Sequence, residues 1–303
     1  MTTLDGDEPL VIRDVPDPVT RDDEIVIEVR AGSLNRGELR LIESRPDWRP
    51  GQDIAGVVVR SAADGTGPGT GTRVAAAIDH AGWAELAAVP VNRCCSLPDG
   101  VTFEAGATLG VAGLTALRSL RAGGSLLGSR VLVTGAAGGV GRFAIQLAHA
   151  GGASVTAVVG DESRGEGLDR LGASEIVLED GEHTEPFDLV LDAVGGPVLE
   201  RAVRALGPGA IAVLFGMASG ERARIGLFDF QHGAGARLQP FRLYRTDVDT
   251  FGDDLGFLAR SIGAGRIEAP IGLHVSWSEL PRAMEALRAR QVRGKVVFTM
   301  DRA

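Results

Sequence analysis

The segment VLVTGAAGGVGRFAIQLAHAGG, Val131 to Gly152, constrains the fold more than any other stretch of the chain. An apolar strand runs straight into Gly135-Ala136-Ala137-Gly138-Gly139-Val140-Gly141. A helix follows, with Val140, Ala144, Leu147 and Ala148 on one face at helical spacing, and Gly151-Gly152 ends it. This order suits a dinucleotide pyrophosphate, which needs backbone N–H groups and a helix N-terminus with no side chain in the way. Gly138 and Gly139 permit that approach, and Gly141 lets the helix pack tightly on the strand. Glycine turns are common and some serve packing alone. Here the strand before, the amphipathic helix after and a further strand ending at Val159 supply the context the binding reading requires.

The same alternation extends from about Glu104 to about residue 240. Strands are expected at Val131–Thr134, Val155–Val159, Glu175–Leu178, Leu189–Asp192 and Ala210–Phe215, with helical patterns between them, which indicates a parallel sheet covered on both faces. Residues 1 to about 105 read differently. Short strands at Ile25–Val29, Ile54–Val59, Arg73–Ile78 and Gly82–Val89, with no convincing helix between most of them, suggest a small barrel. After about residue 245 come helices at Asp253–Ile262 and Trp277–Arg290 and a closing strand, Lys295–Met300. Ser276 and Glu279 form a capping box for the second helix.

Composition narrows the function. A chain of 303 residues with a formal charge of −9 lacks the concentrated Lys and Arg of a nucleic-acid surface. Cys94 and Cys95 are adjacent and build neither a disulfide framework nor a metal cluster, so a reducing, cytoplasmic setting is expected. The acidic start, MTTLDGDEPL, is no signal peptide, and no apolar run approaches the roughly 20 residues of a membrane span. Neither a membrane nor a nucleic acid is expected as a partner.

The cofactor form is set where the second strand ends, at Val158-Val159-Gly160. NAD-binding units often place a carboxylate there for the ribose 2′-hydroxyl. Here the position is apolar or empty, and Ser163 and Arg164 follow, able to meet a 2′-phosphate. NADPH is therefore preferred over NADH. Asp161 and Glu162 weigh the other way: they either cap and charge the next helix or bind an NAD ribose.

The string GAAGGVGRFAIQLA resembles the glycine turn of zeta-crystallin-like quinone oxidoreductases and polyketide-synthase enoyl reductases, a zinc-free branch of the medium-chain dehydrogenase/reductase superfamily. Further matches are AGSLNRGELR (Ala31–Arg40), PGQDIAGVV (Pro50–Val58), ATLGVAGLTAL (Ala107–Leu117) and VRGKVVFTM (Val292–Met300). The resemblance implies an α/β protein. A GroES-like β-barrel domain (1–106 and 246–303) would carry an inserted Rossmann domain with a doubly wound parallel sheet (107–245). Relatives usually begin with an extra N-terminal strand, and the barrel edge here is expected to be shortened or differently paired.

Zinc-dependent members of the superfamily place Cys, His and Cys where this chain has Asn35, Gln52 and Val111, and no four-Cys lobe is present. Catalytic zinc needs about three such ligands, so no metal is expected. Direct hydride transfer to a small electrophile, a quinone or an α,β-unsaturated carbonyl, is the chemistry implied, with the protein positioning the acceptor and stabilising an enolate. An enoyl-thioester reductase is the alternative, with Arg36, Arg40 and Arg45 available to a large acyl carrier. A dinucleotide-binding protein with little turnover is another.

By resemblance, Asn35 and Thr115 lie beside the nicotinamide, Asn35 as a donor towards its amide or the substrate. Asn35 can equally cap a turn. Arg36 either assists an oxyanion or is a solvated arginine; Arg40 either borders the substrate or is an exposed helical one. The cofactor contacts carried over are Asn35, Thr115, Ala136, Ala137, Gly138, Gly139, Val140, Gly160, Ser163, Arg164, Ala193, Val194, Phe215, Gly216 and Arg290. Where relatives border the phosphate with a tyrosine, Glu179 stands, which opposes a 2′-phosphate. The histidines (His80, His149, His183, His232, His274) have no partners at useful spacing. A homodimer is expected through the sheet edge around Gly220–Tyr244, which carries Phe228, Phe230 and Phe241.

Overall fold

The computed structural model describes residues 10–45, 47–181 and 186–300. The acidic start of the chain and His183 lie outside them. The chain divides into two compact units, one comprising residues up to Leu114 and from Thr246 onward, the other Thr115–Arg245.

In chain order the first unit opens with β1 (Glu24–Leu34), α1 (Arg36–Ser44), β2 (Asp53–Arg60), β3 (Arg73–Ala77), β4 (Leu86–Pro90), β5 (Cys94–Ser96) and the single turn α2 (Phe103–Gly106). A π-helical turn, Leu109–Gly113, then leads into α3 (Leu114–Ala122). The second unit holds β6 (Arg130–Thr134), α4 (Gly139–Ala150), β7 (Ser154–Val159), β8 (Glu175–Leu178), β9 (Phe187–Asp192), α5 (Gly196–Arg204), β10 (Leu206–Leu214) and β11 (Arg237–Pro240). The first unit is completed by α6 (Phe251–Gly263), β12 (Ile271–Ser276), α7 (Leu280–Arg288) and β13 (Lys295–Thr299).

The first unit is a seven-stranded mixed sheet in the order β12-β13-β1-β2-β3-β5, with β4 also on β1. β1 is its spine. One edge pairs antiparallel with β2; the other is shared, Glu24–Glu28 pairing with β4 and Ala31–Leu34 with β13. Against β2 the register shifts at Val26/Ile27 and at Val29/Ala31, the second falling where the opposite edge passes from β4 to β13. Its core includes Ile25, Ile27, Ile54 and Val74, and a second cluster joins Leu39 and Ile42 of α1 to Leu280, Met284 and Phe298.

Three elements here carry weak sequence signals. α1 is only nine residues long. β5 is three residues, and the residues of β12 are half-buried or exposed throughout. The capping box at Ser276 does form: Ser276 Oγ accepts from the Ser278 N–H, and Glu279 accepts the Ser276 N–H at 3.1 Å. It opens a short 3-10 turn before α7, which Pro281 enters near its start.

The second unit is a six-stranded, all-parallel sheet ordered β11-β10-β9-β6-β7-β8. Its central strands are apolar on both faces, as covered parallel strands must be: Val131, Leu132, Val133, Leu189, Val190 and Leu191 are all buried. The strand order reverses at β6, so the crevice outside the carboxyl end of β6 is the topological switch point where such sheets receive ligands. The link from β7 to β8 has a 3-10 turn, Glu162–Gly165, where sequence reading places a helix. Glycines at 165, 167 and 172 deprive that stretch of helix propensity.

Candidate functional site

In the second unit, β6 delivers the chain to Gly135, whose φ of 62° reverses it. The Ala136 N–H bonds Val158 C=O at 3.1 Å, tying the turn to the end of β7. The first bond to enter the helix is Arg142 N–H to Gly138 C=O at 3.0 Å, so the N–H groups of Gly139, Val140 and Gly141 precede any intrahelical partner. Gly138 is the N-cap and no side chain caps the helix. A Cβ on Gly141 would stand 2.6 Å from Ala136 Cα, so only glycine lets the helix lie against the turn. A twelve-residue helix with an uncapped start of small residues fits a pyrophosphate by N–H donation and dipole.

The neighbouring strand ends are locked to this turn by Asp192, which sequence reading did not single out. It is fully buried at the end of β9. Thr134 Oγ1 donates to Asp192 Oδ1 at 2.6 Å and accepts the Ala193 N–H at 3.1 Å; the Gly195 N–H donates to Oδ2 at 2.9 Å. Burial pushes the Asp192 carboxyl up, and these donors pull it back. The Phe215 N–H bonds Asp192 C=O at 3.0 Å, and a Cβ on Gly216 would meet Ala193 O at 2.4 Å. Ala193, Val194, Phe215 and Gly216 are thereby gathered at the carboxyl ends of β9 and β10.

At the end of β7, Ser163 Oγ donates to the Asp161 carboxylate, which also accepts the Arg164 N–H at 3.2 Å. The Ser163 hydroxyl, followed by these N–H groups and the Arg164 charge, holds the Asp161 carboxyl below its usual range. Glu179 sits beside Gly160: a Cβ there would lie 3.5 Å from Glu179 Oε2.

In the first unit Asn35 stands at the N-cap of α1 inside a buried ionic centre that the sequence did not announce. Asn35 Nδ2 donates to Glu38 Oε2 at 3.0 Å and to Asp53 Oδ2 at 2.8 Å, while Oδ1 accepts from Lys295 Nζ. Lys295 Nζ also donates to Asp53 Oδ2 at 3.1 Å and Leu34 C=O at 3.2 Å. Ser33 Oγ and the Val111 N–H of the π-turn complete the shell of Asp53, at 2.8 and 2.6 Å. Glu38 accepts N–H groups from Asn35, Gly51 and Gln52 at 3.0–3.1 Å. Burial and the Asp53 charge push Glu38 up to about 7, against the pull of Lys295 and these donors. A Cβ on Gly110 would fall 2.2 Å from Asp53 Oδ1, so the carboxylate's approach to the π-turn requires glycine there.

This geometry engages the whole Asn35 amide internally, which leaves no amide hydrogen for the donor role expected of it. Arg36 Nη2 bonds Leu287 C=O at 2.8 Å, the carbonyl that also accepts the Arg290 N–H at 3.2 Å. Arg36 thus helps close the end of α7, and Arg290 follows it in a left-handed conformation, φ 59°. Arg40 is exposed on α1. Thr115 is buried in the first turn of α3, and its hydroxyl makes no hydrogen bond among the described residues. Gln52, at the position of the zinc-binding histidine, donates instead to Asp79 C=O at 3.5 Å. Among the described residues no group of three or more His, Cys, Asp or Glu could hold a metal ion.

One chain that carries both a parallel sheet with an open glycine turn at its switch point and a GroES-like sheet unit has the two-unit architecture of a dinucleotide-binding dehydrogenase. The family model described as "Zinc-binding dehydrogenase" matches residues 139–259, a stretch that holds none of the positions 35, 52 and 111. Acrylyl-CoA reductase AcuI of Ruegeria pomeroyi is 31% identical over 281 residues, 83% of this chain and 81% of that protein. The spinach chloroplast quinone-oxidoreductase homolog is 35% identical over 54% of this chain, and the match spans only 54% of that relative's length. In fold, Escherichia coli quinone oxidoreductase complexed with NADPH superposes with a TM-score of 0.85 at 22% identity, over 98% of both chains. The chain belongs to the medium-chain dehydrogenase/reductase superfamily, in its quinone oxidoreductase and enoyl reductase branch.

Proposed function

We propose that the protein is a zinc-independent reductase that passes hydride from a nicotinamide dinucleotide to a quinone or α,β-unsaturated carbonyl. The observation that carries this is the uncapped start of α4, with its three free-facing N–H groups and the glycine contacts that keep it clear. NADPH is the donor proposed, with Arg164 as the cation for its 2′-phosphate. When bound, that group supplies the hydride.

The chain's own residues bind and orient. The glycine turn holds the pyrophosphate, and the Thr134–Asp192 pair fixes the strand ends that flank it. Thr115 offers a hydroxyl with no partner among the described residues, and Arg36 supplies positive charge near the start of α1. Asn35 acts in this reading by holding the start of α1 to the buried ionic centre rather than by donating to the substrate. A cytoplasmic setting fits two free thiols at Cys94 and Cys95, which burial pushes up to about 12, and among the described residues no helix is long and apolar enough to cross a membrane.

The test is NADPH oxidation over a panel of quinones, enones and enoyl thioesters. Turnover of thioesters alone would favour the enoyl-thioester reading, which the similarity to an acrylyl-CoA reductase supports. Binding with no oxidation of any acceptor would favour a dinucleotide-binding protein with little turnover. A homodimer is proposed through β11, an edge strand whose four residues are all exposed. Leu227 and Phe228, which precede it in the chain, are 83% and 81% exposed, whereas Phe230 and Phe241 turn inward. A monomer in light scattering would count against this.

A further inference from the structure

Glu179 extends the β8 side of the sheet by one residue, its N–H bonding Val159 C=O at 2.9 Å, while its own carbonyl accepts Arg201 Nε at 2.6 Å. Both backbone groups are therefore fixed. Its half-buried side chain runs back over the end of β7, with Oε2 and Oε1 at 3.5 and 3.8 Å from where a Gly160 Cβ would be. β7 is thus flanked at its carboxyl end by the glycine turn on one side, through Ala136, and by this carboxylate on the other. Asp161, two residues after the strand, is already engaged by the Ser163 hydroxyl and the Arg164 N–H. The Glu179 carboxylate makes no hydrogen bond or ion pair among the described residues, and Arg201, the cation nearest in the hydrogen-bond pattern, is directed at the backbone. An acceptor-only group held over an open glycine at the mouth of the second strand is placed to take a sugar hydroxyl and to repel a phosphate.

We propose that Glu179 is the residue that sets the balance between NADH and NADPH. It accepts the adenosine ribose 2′-hydroxyl of NADH and holds NADPH binding below what Arg164 alone would give, so that the protein uses both donors. This rests on the dinucleotide reading above.

The experiment is titration of the full-length wild type, Glu179→Gln and Asp161→Asn with NADH and with NADPH, read by bound-cofactor fluorescence and by calorimetry, with no acceptor present. The wild type should bind the two within about tenfold of each other. In Glu179→Gln, NADPH should tighten about tenfold, the scale of one unit charge facing a phosphate in a partly hydrated site, while NADH weakens or holds. Both forms binding to Glu179→Gln with an NADH/NADPH ratio within twofold of wild type would overturn the assignment. So would a ratio that moves in Asp161→Asn and not in Glu179→Gln. Failure of every protein to bind either dinucleotide would instead overturn the dinucleotide reading itself, and this inference with it. Glu179→Ala provides the second charge-removing variant, with an unchanged thermal melt as the control for folding.

Discussion

Replacing Lys295 with methionine tests the buried ionic centre most directly. The methionine stem fills much of the same volume, but the ammonium disappears from a site where the lysine is 4% exposed and Asp53 not at all. Asp53 Oδ2 loses its 3.1 Å partner, and Leu34 C=O and Asn35 Oδ1 lose their donor. Asp53 keeps its bonds from Ser33, Asn35 and Val111, so its charge is still solvated by dipoles but no longer neutralised. Breaking a buried pair from one side costs about 3–5 kcal/mol, a large part of the ~5–15 kcal/mol that holds a typical domain together. With a urea slope of about 3 kcal/mol/M, the unfolding midpoint of the first unit should fall by more than about 1 M. Adding Asp53→Asn to Lys295→Met removes the stranded charge and keeps an oxygen for the Val111 N–H. The double variant should regain at least about half of the loss, because removing both charges is far cheaper than removing one. A Lys295→Met loss under about 1 kcal/mol, or a double variant no more stable than the single, would falsify this account.

Glu38, raised to about 7 by burial and by Asp53, gives a pH signature. A carboxyl raised in the folded state binds its proton more tightly there than in the unfolded chain, so its contribution is favourable at low pH and is lost as pH rises from about 4.5 towards 7. The stability of wild type relative to Glu38→Gln should fall by about 3 kcal/mol across that window; urea melts giving a pH-independent difference would remove Glu38 from the account. Gly110→Ala sets a methyl against Asp53 Oδ1 and should cost about 1–3 kcal/mol, read in the same melts. Thr134→Val leaves Asp192 and the Ala193 N–H each short of a partner, which should cost about 1–3 kcal/mol and weaken binding of both dinucleotides alike in a fluorescence titration. Arg164→Ala should weaken NADPH about tenfold with NADH untouched; equal loss of both would show a structural role instead.

The Rossmann unit was legible because its signals are local. Strand, turn and helix follow one another within Val131–Gly152, and the covered strands are continuous apolar runs. The buried ionic centre was illegible for the opposite reason. Lys295 reaches Asn35 and Asp53 across 260 and 242 residues, and no periodicity links such positions. A signal was nonetheless present: Asp53 and Lys295 each stand directly before a buried apolar run, and an ion placed there requires an opposite partner. α1 is only hinted at, through Arg40 as an exposed helical arginine, because nine residues of charged, glycine-bearing sequence barely exceed two turns. Ser163 and Asn35 stand out in the sequence as positions, but only the fold shows that Asp161, Glu38 and Asp53 engage them.

The division of β1 between two partners has a consequence for how the chain is made. Residues 115–245 hold every strand of the parallel sheet, so that sheet can form as soon as the ribosome has released it. β1 cannot finish at the same time: the edge Ala31–Leu34 waits for β13, and until Lys295 emerges Asp53 and Glu38 are two acidic groups with no ammonium between them. The earliest-synthesised strand is therefore among the last to be completed. A nascent chain paused before residue 295 should be protected from protease in its middle and cleaved readily at its start.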